Sequence, residues 1–278
     1  MQTITQPAQM TAWSMGKRAN GRRIGFVPTM GYLHEGHLSL MRLLRPHVDE
    51  LIVSIYVNPL QFAPGEDFAS YPRDLPGDEA KCKAEGVDLI FMPTDLYPPS
   101  FATRVSVSDL DRALCSVSRP TFFTGVATVV ARLFGVTRCH VAAFGEKDYQ
   151  QLTIIRRVVS DLALPVEIVP GPIVRENDGL AMSSRNVYLS DADRTRALTL
   201  NRALTSMQSD ANEGVRDVSQ LVARAKDRVD CDRIDYIQVV DTSDLTVLTE
   251  VDRPARVAIA AMYDNTRLID NMALLPGR

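Results

Sequence analysis

Cysteine is scarce in this chain of 278 residues, and the four present (Cys82, Cys115, Cys139, Cys231) are widely scattered. No Cys-x-x-Cys pair exists, so neither a zinc knuckle nor a dithiol redox motif is supported; buried reduced thiols in a cytosol fit better. Histidine is equally sparse: His34, His37, His47 and His140. A protein zinc site wants three or four ligands, and only the first two histidines stand close in sequence. No apolar run approaches the roughly 20 residues of a membrane span. Met1 to Pro7 is polar and lacks the core of a secretory leader. Neither charge sign dominates, with 31 basic against 34 acidic residues and a net charge of -3. That balance gives no global attraction to nucleic acid or to an anionic membrane. These absences leave a cytoplasmic globular protein with neither a nucleic-acid nor a membrane partner as the expectation.

Apolar residues make up 45% and charged residues 23% of the chain, ordinary values for a protein of one large or two ordinary domains. Five short, β-branched apolar runs read as buried strands: 24–27, 51–57, 87–91, 141–144 and 166–169. Helical patterns separate them, including a lead-in helix within residues 1–23 and others near 33–45, 78–85, 126–136 and 149–162. Leu110 to Leu114 reads as a helical turn. Strands alternating with helices imply an α/β fold: a parallel sheet with helices on both faces. Beyond a hinge at Pro170 to Arg175 the pattern changes. Helices near 191–209, capped by Ser190, and 215–229 precede strands near 234–240, 256–262 and 267–269. The expected division is a catalytic domain over residues 1–175 and a smaller α+β C-terminal domain over 176–278.

The run from Val27 to Leu40 organises the chain. An apolar strand stops at Pro28, Gly31 permits a turn with positive φ, and a helix follows. His34 and His37, three apart, project from one face of its first turn. That turn also carries unpaired N–H groups and the positive end of the helix dipole, a setting for an anion. Gly36 between the histidines costs a helix about 1 kcal/mol relative to Ala, which a closely approaching ligand would explain. Two other strands end in chemically capable segments, Asn58 to Gln61 and Gly145 to Gln151. In open parallel sheets, ligands bind beyond the carboxyl ends of the strands. Three amide-, Lys- or His-bearing segments on that edge favour one shared site over decoration. Farther on, Ser183, Ser184 and Arg185 suit phosphate oxygens, although a turn capped by Ser and Asn explains them better if the motif is taken alone.

The motifs together resemble the pantoate–β-alanine ligase family. They are PTMGYLHEGH (28–37), VNPLQF (57–62), YPR (71–73), GEKDYQQL (145–152), DGLAMSSRN (178–186) and RLIDN (267–271), and they run nearly end to end. The resemblance implies a Rossmann-like nucleotidylyltransferase fold, a C-terminal lid domain and a homodimer. It implies ATP-dependent joining of pantoate to β-alanine through pantoyl adenylate, with AMP and pyrophosphate released and Mg²⁺ bridging the phosphates. ATP would meet Met30, Gly31, Tyr32, Leu33, His34, Glu35, Gly36 and His37. It would also meet Gly145, Glu146, Lys147, Asp148, Val174, Met182, Ser183, Ser184 and Arg185. Gln61 and Gln151 would hold pantoate, and Gln61 β-alanine as well. His37, usually labelled proton donor, would act with His34 and Lys147 in catalysis. Asp78 would stand near the metal, directly or through water.

The chemistry suits those assignments. Negative charge developing on phosphoryl oxygens needs preorganised donors and cations. Gln61 and Gln151 are neutral donors and acceptors suited to pantoate's hydroxyls and carboxylate. Burial at a helix N-terminus disfavours imidazolium, so the histidines are expected to act as neutral N–H donors. Two alternatives share the fold: another nucleotidyl-transferring enzyme, and a non-catalytic ATP-binding relative. Some positions depart from the resembled pattern. Arg119-Pro120-Thr121-Phe122-Phe123 stands where Arg-Pro-Gly-His-Phe is usual, Thr124 replaces a charged residue, and Leu114-Cys115-Ser116 replaces Leu-Glu-Gly. Gly77-Asp78 leaves one carboxylate where some relatives have adjacent aspartates.

Overall fold

The computed structural model describes residues 1–276. In chain order its elements begin with β1 (Gln2–Ile4), α1 (Pro7–Ala19), β2 (Ile24–Thr29), α2 (Glu35–Leu44), β3 (Glu50–Ile55), α3 (Leu75–Ala84) and β4 (Leu89–Phe91). They continue with α4 (Cys115–Ser118), α5 (Phe122–Thr137), β5 (Val141–Gly145), α6 (Tyr149–Asp161) and β6 (Glu167–Gly171). The last are α7 (Asp191–Asn212), α8 (Val218–Lys226), β7 (Arg233–Asp241), β8 (Ala255–Tyr263) and β9 (Thr266–Leu274). The chain forms two compact units. The first comprises Met1–Val107, Thr121–Glu146 and Ile154–Pro172; the second takes Ser108–Pro120, Lys147–Thr153 and the chain from Ile173 onward.

The first unit holds a six-stranded parallel sheet in the order β1-β4-β3-β2-β5-β6. Its strands are near-continuous apolar runs because both faces are covered. Val27, Val53, Ile90, Val141 and Ala143 share a core with Leu40, Met41 and Leu44 of α2 and Cys82 of α3. The alternate residues Phe26 and Phe144 present their rings edge-on to Phe134 of α5. Helices therefore lie on both faces, as the alternation of elements implies.

The edge strand β1 is not legible as a strand, since only Ile4 of its three residues is buried. Pairing in parallel with β4 defines it. β2 runs on through Pro28 to Thr29, pairing there with β3, whereas its pairing with β5 covers only Gly25 and Phe26. Pro170 lies in β6, at the sheet's edge, where a missing N–H is tolerated.

The second unit carries an antiparallel sheet β7-β8-β9. Ala197, Leu200, Leu204 and Met207 of α7, with Leu221 of α8, are buried with Val239, Val257, Ile259 and Leu268 of the strands. Ser190 caps α7 by accepting the Asp193 N–H at 3.1 Å. β9 extends well beyond the three residues its apolar pattern marks, because a full ladder to β8 runs from Thr266 to Leu274.

The helical turn expected over 110–114 lies instead at Cys115–Ser118. The buried Gln150 amide explains the shift. Its Nε2 donates to the Leu110 carbonyl (2.9 Å), the Ala113 carbonyl (3.0 Å) and the Ser116 hydroxyl (2.9 Å), and its Oε1 accepts the Cys115 N–H (3.0 Å). Backbone groups that would have closed a turn are bound by a side chain distant in sequence.

At the end of β7, hydrogen bonds from the Ser243 hydroxyl and N–H, reinforced by Arg253, hold the Asp241 carboxyl down to about 2. A depressed carboxyl stabilises the fold fully above the ordinary carboxylate range and loses that contribution as pH falls through its folded value. Asp241→Ala should therefore lower the unfolding temperature more at pH 6 than near pH 2. Thermal denaturation at both pH values checks this.

Candidate active site

In the first unit the adjacent strands β3, β2 and β5 each run into a candidate segment at the carboxyl end. After Thr29 the chain turns through two consecutive left-handed residues, Gly31 (φ 87°) and Tyr32 (φ 51°). Glycine adopts such a φ without penalty, whereas tyrosine must be held there. The Thr29 hydroxyl donates to the Ser54 carbonyl (2.7 Å) and accepts the Gly31 N–H (3.2 Å). The Tyr32 and Leu33 N–H groups donate to the buried Asp78 carboxylate, at 2.8 Å and 2.7 Å.

The helix that follows starts two residues later than the apolar pattern suggests, because His34 is its cap. His34 Nδ1 accepts the Gly36 N–H (3.2 Å), and His37 Nδ1 accepts the His34 N–H (3.3 Å). The two rings lie 4.0 Å apart, tilted by 40°. This reciprocal arrangement is a capping box built from imidazoles in place of hydroxyl and carboxylate. It fixes the protonation pattern: a nitrogen that accepts carries no proton, so each ring is neutral with its proton on Nε2. Both histidines are thereby set up as N–H donors at the positive end of a helix. Glu35 is occupied by Arg42, whose guanidinium lies 2.6 Å away and holds the carboxyl below its usual range.

At the end of β3, Asn58 fastens the Gln61 side chain. Asn58 Nδ2 donates to Gln61 Oε1 (3.0 Å) and to the Gly125 carbonyl (3.2 Å), while its Oδ1 accepts from the Leu60 N–H (3.3 Å) and the Tyr97 hydroxyl (2.9 Å). The Gln61 amide is thus oriented, its Nε2 turned toward Met30 Sδ at 3.2 Å. This brings Met30 and Gln61, distant in sequence, together. The fastening roles of Asn58 and Gly125 were not foreseen; an Asn at a strand end before Pro is the only local signal for the first. A Cβ on Gly125 would sit 2.2 Å from the Leu60 carbonyl oxygen. Gly145 closes β5, opposite Gly171 of β6, and Glu146 follows it.

The remaining candidates belong to the second unit. The Lys147 carbonyl accepts from Asn271 Nδ2 (2.8 Å), whose Oδ1 in turn accepts from Arg256 (2.6 Å), and the Arg256 guanidinium stacks 4.0 Å from the Tyr149 ring. Lys147 Nζ lies 3.6 Å from the Asp148 carboxylate. Gln151, one residue beyond the buried Gln150, is half-buried on α6. Val174 and Met182 pair through a backbone hydrogen bond (3.0 Å). Beside them Arg175 grips the buried Asp270 through both guanidinium nitrogens, at 2.6 Å and 3.0 Å. Ser183 caps the helical turn Ser184–Tyr188 by accepting the Arg185 N–H (3.2 Å), so the capping role considered for this motif is realised. Ser184 is buried.

Each oxygen of the Asp78 carboxylate accepts one of the Tyr32 and Leu33 N–H groups. Among the described residues no cluster of three or more His, Cys, Asp or Glu could hold a metal. Of the departures from the resembled pattern, Phe122 packs edge-on against Phe123 at 4.9 Å, and Cys115 Sγ sits 3.1 Å from the Tyr236 hydroxyl and 3.6 Å from Arg267. Gly77 has a local reason: a Cβ there would lie 2.0 Å from the Asp74 carboxylate, which caps α3 through the Gly77 N–H. Gly125→Ala should dislodge the 58–61 turn and cost about 1–3 kcal/mol of stability, as overpacking does, read as a lowered denaturation midpoint.

Comparison with known proteins bears on what these side chains serve. The family model described as Pantoate-beta-alanine ligase matches residues 2–273. Pantothenate synthetase of Heliobacterium modesticaldum is 48% identical over 279 residues, covering 99% of both chains. The crystal structure of pantothenate synthetase from Thermus thermophilus superposes with a TM-score of 0.93 at 44% identity, covering 99% of this chain and 100% of that one. Pantoate-beta-alanine ligase from Francisella tularensis, in a crystal structure complexed with beta-gamma ATP and beta-alanine, gives a TM-score of 0.83 at 30% identity, covering 98% and 97%. With a family match over residues 2–273 and a relative at 48% identity over nearly the whole chain, the chain belongs to the pantoate–β-alanine ligase family.

Proposed function

We propose that this chain uses ATP to join pantoate to β-alanine, giving pantothenate, AMP and pyrophosphate through pantoyl adenylate. The observation that carries the reading is the reciprocal His34–His37 cap, beside the oriented amide of Gln61. It combines neutral N–H donors and a helix N-terminus, suited to phosphates, with a neutral amide suited to a hydroxy acid.

In the first step a pantoate carboxylate oxygen attacks the α-phosphorus of ATP in line. The bond from that phosphorus to the bridging oxygen breaks, and pyrophosphate leaves with the electron pair. Charge on the phosphoryl oxygens rises, which N–H donors from His34 and His37 and the ammonium of Lys147 stabilise. Met30 to His37, Gly145 to Asp148, Val174 and Met182 to Arg185 form the proposed ATP contacts. Gln61 and Gln151 hold pantoate. With Oε1 engaged by Asn58, Gln61 offers chiefly its N–H groups, which suit the oxygens of pantoate and the carboxylate of β-alanine. In the second step the β-alanine amine attacks the acyl carbon, a proton leaves the nitrogen, and AMP departs; closeness and exclusion of water are what this step needs. Mg²⁺ brought in with ATP would supply charge neutralisation at the phosphates, with Asp78 the residue proposed to stand near it, directly or through water. The proposal includes residues 1–175 as the catalytic domain, 176–278 as its lid, a homodimeric state and a cytoplasmic location. No helix among the described residues is long and apolar enough to cross a membrane.

Exchange of labelled pyrophosphate into ATP tests the first step. Exchange that requires pantoate is expected, followed by pantothenate and AMP on adding β-alanine. Exchange without pantoate, or none at all, overturns the reading. Donor and proton-transfer roles for His37 separate by substitution. His37→Asn keeps an N–H donor and an acceptor for the cap, so it should retain adenylation within about tenfold, whereas His37→Ala should lose about 10²–10³-fold in kcat. Equal losses in single-turnover adenylation would show that proton transfer dominates.

A further inference from the structure

The turn that delivers His34 and His37 is held from outside the motif. α3 presents two charged side chains one helical turn apart, Asp78 and Lys81, to the backbone of the same two residues, Tyr32 and Leu33. Asp78 Oδ2 accepts the Tyr32 N–H at 2.8 Å, and Oδ1 accepts the Leu33 N–H at 2.7 Å. Lys81 Nζ donates to the Leu33 carbonyl at 2.7 Å. The carboxylate is only 1% exposed, so its two hydrogen bonds are shielded from competition by water. Burial pushes its carboxyl upward, and the same two N–H groups oppose that push.

The clip acts where the backbone most needs holding. Gly31 and Tyr32 are both left-handed, at φ 87° and 51°, and a tyrosine remains there only when its surroundings impose it. A Cβ on Gly31 would lie 3.1 Å from Asp78 Oδ2 and 3.0 Å from Ile55 Cγ2, so the turn is pressed close against the carboxylate. One residue beyond the clip, His34 enters extended, at φ -129° and ψ 174°, the geometry its Nδ1 needs to cap α2. The orientation of both imidazoles is therefore set two residues upstream, by groups on another helix. Gln61 has a fastening of its own besides its contact with Met30: its Oε1 accepts from Asn58, which the Gly125 carbonyl holds in turn.

We propose that Asp78 and Lys81 are positioning residues for the nucleotide: they lock the Gly31–Leu33 turn so that His34 and His37 face the phosphates. The inference rests on the ATP-dependent reading above. It implies that damage to the clip is felt at the ATP end of the site and spares pantoate, whose amide partner has its own fastening.

Steady-state kinetics of Asp78→Asn, Lys81→Met and Lys81→Arg, with amide hydrogen exchange at Tyr32 and Leu33, tests it. Asp78→Asn replaces one acceptor by a donor and should raise KM for ATP about tenfold, the worth of a charge-assisted hydrogen bond, with KM for pantoate unchanged. The Tyr32 and Leu33 amides should exchange faster. Lys81→Met should move both readouts the same way, and Lys81→Arg should restore them. If Asp78→Asn fails to fold, the lysine pair carries the test. The proposal is overturned if KM for ATP and for pantoate rise together. It is also overturned if only the unfolding temperature falls, or if the variants merely need more free Mg²⁺ at unchanged KM for ATP, the signature of a metal ligand. Failure of the functional reading is read separately, in wild-type protein that shows no pantoate-dependent exchange; the clip is then judged by amide exchange and equilibrium ATP binding in the same variants.

Discussion

The first turn of any α-helix carries N–H groups that no intrahelical carbonyl can satisfy. In this chain two such groups at the start of α2, the N–H of His34 and of Gly36, are met by imidazoles, His37 and His34 each accepting one through Nδ1. Much of the chemistry depends on that choice. Accepting at Nδ1 places the proton of each neutral ring on Nε2, so a backbone requirement settles a tautomer. A helix start that most proteins would cap with serine and glutamate becomes here a pair of oriented donors.

Side-chain amides do comparable work elsewhere. Asn58 uses its donor and acceptor groups to join the end of β3, the start of α5 and the Tyr97 hydroxyl, and so orients Gln61. Gln150 gathers four groups of the 110–116 loop. Asn271 ties the Lys147 carbonyl to Arg256. Buried amides of this kind are tolerated because their donors and acceptors find partners, and each then specifies one loop conformation over its alternatives. Loops that must hold a ligand gain precision this way without the desolvation cost of buried charge.

Four of the departures from the family pattern have local physical accounts. Phe122 exchanges a polar ring for an aromatic edge contact within its own unit. Ser116 offers a hydroxyl that Gln150 uses. Cys115 stands beside Arg267, whose charge is answered by Asp235 at 2.7 Å. Gly77 leaves room for the Asp74 cap of α3.

What the sequence determined alone was periodicity and motif. Apolar runs buried on both faces announce parallel strands, and helical spacing of Leu40, Met41 and Leu44 announces the helix that covers them, because burial acts on every residue of the pattern. The family was legible because its motifs are long and ordered. What only the tertiary structure decided were contacts between residues far apart in the chain. β1 is a strand because β4 pairs with it, not because Gln2 and Thr3 favour one. The 110–114 turn gives way because Gln150 binds its carbonyls. Asp78 meets the N–H groups of Tyr32 and Leu33 only because α3 brings it to them. Sequence spacing records local geometry, whereas a hydrogen bond across 45 residues exists only once packing has paid the entropy of closing that loop.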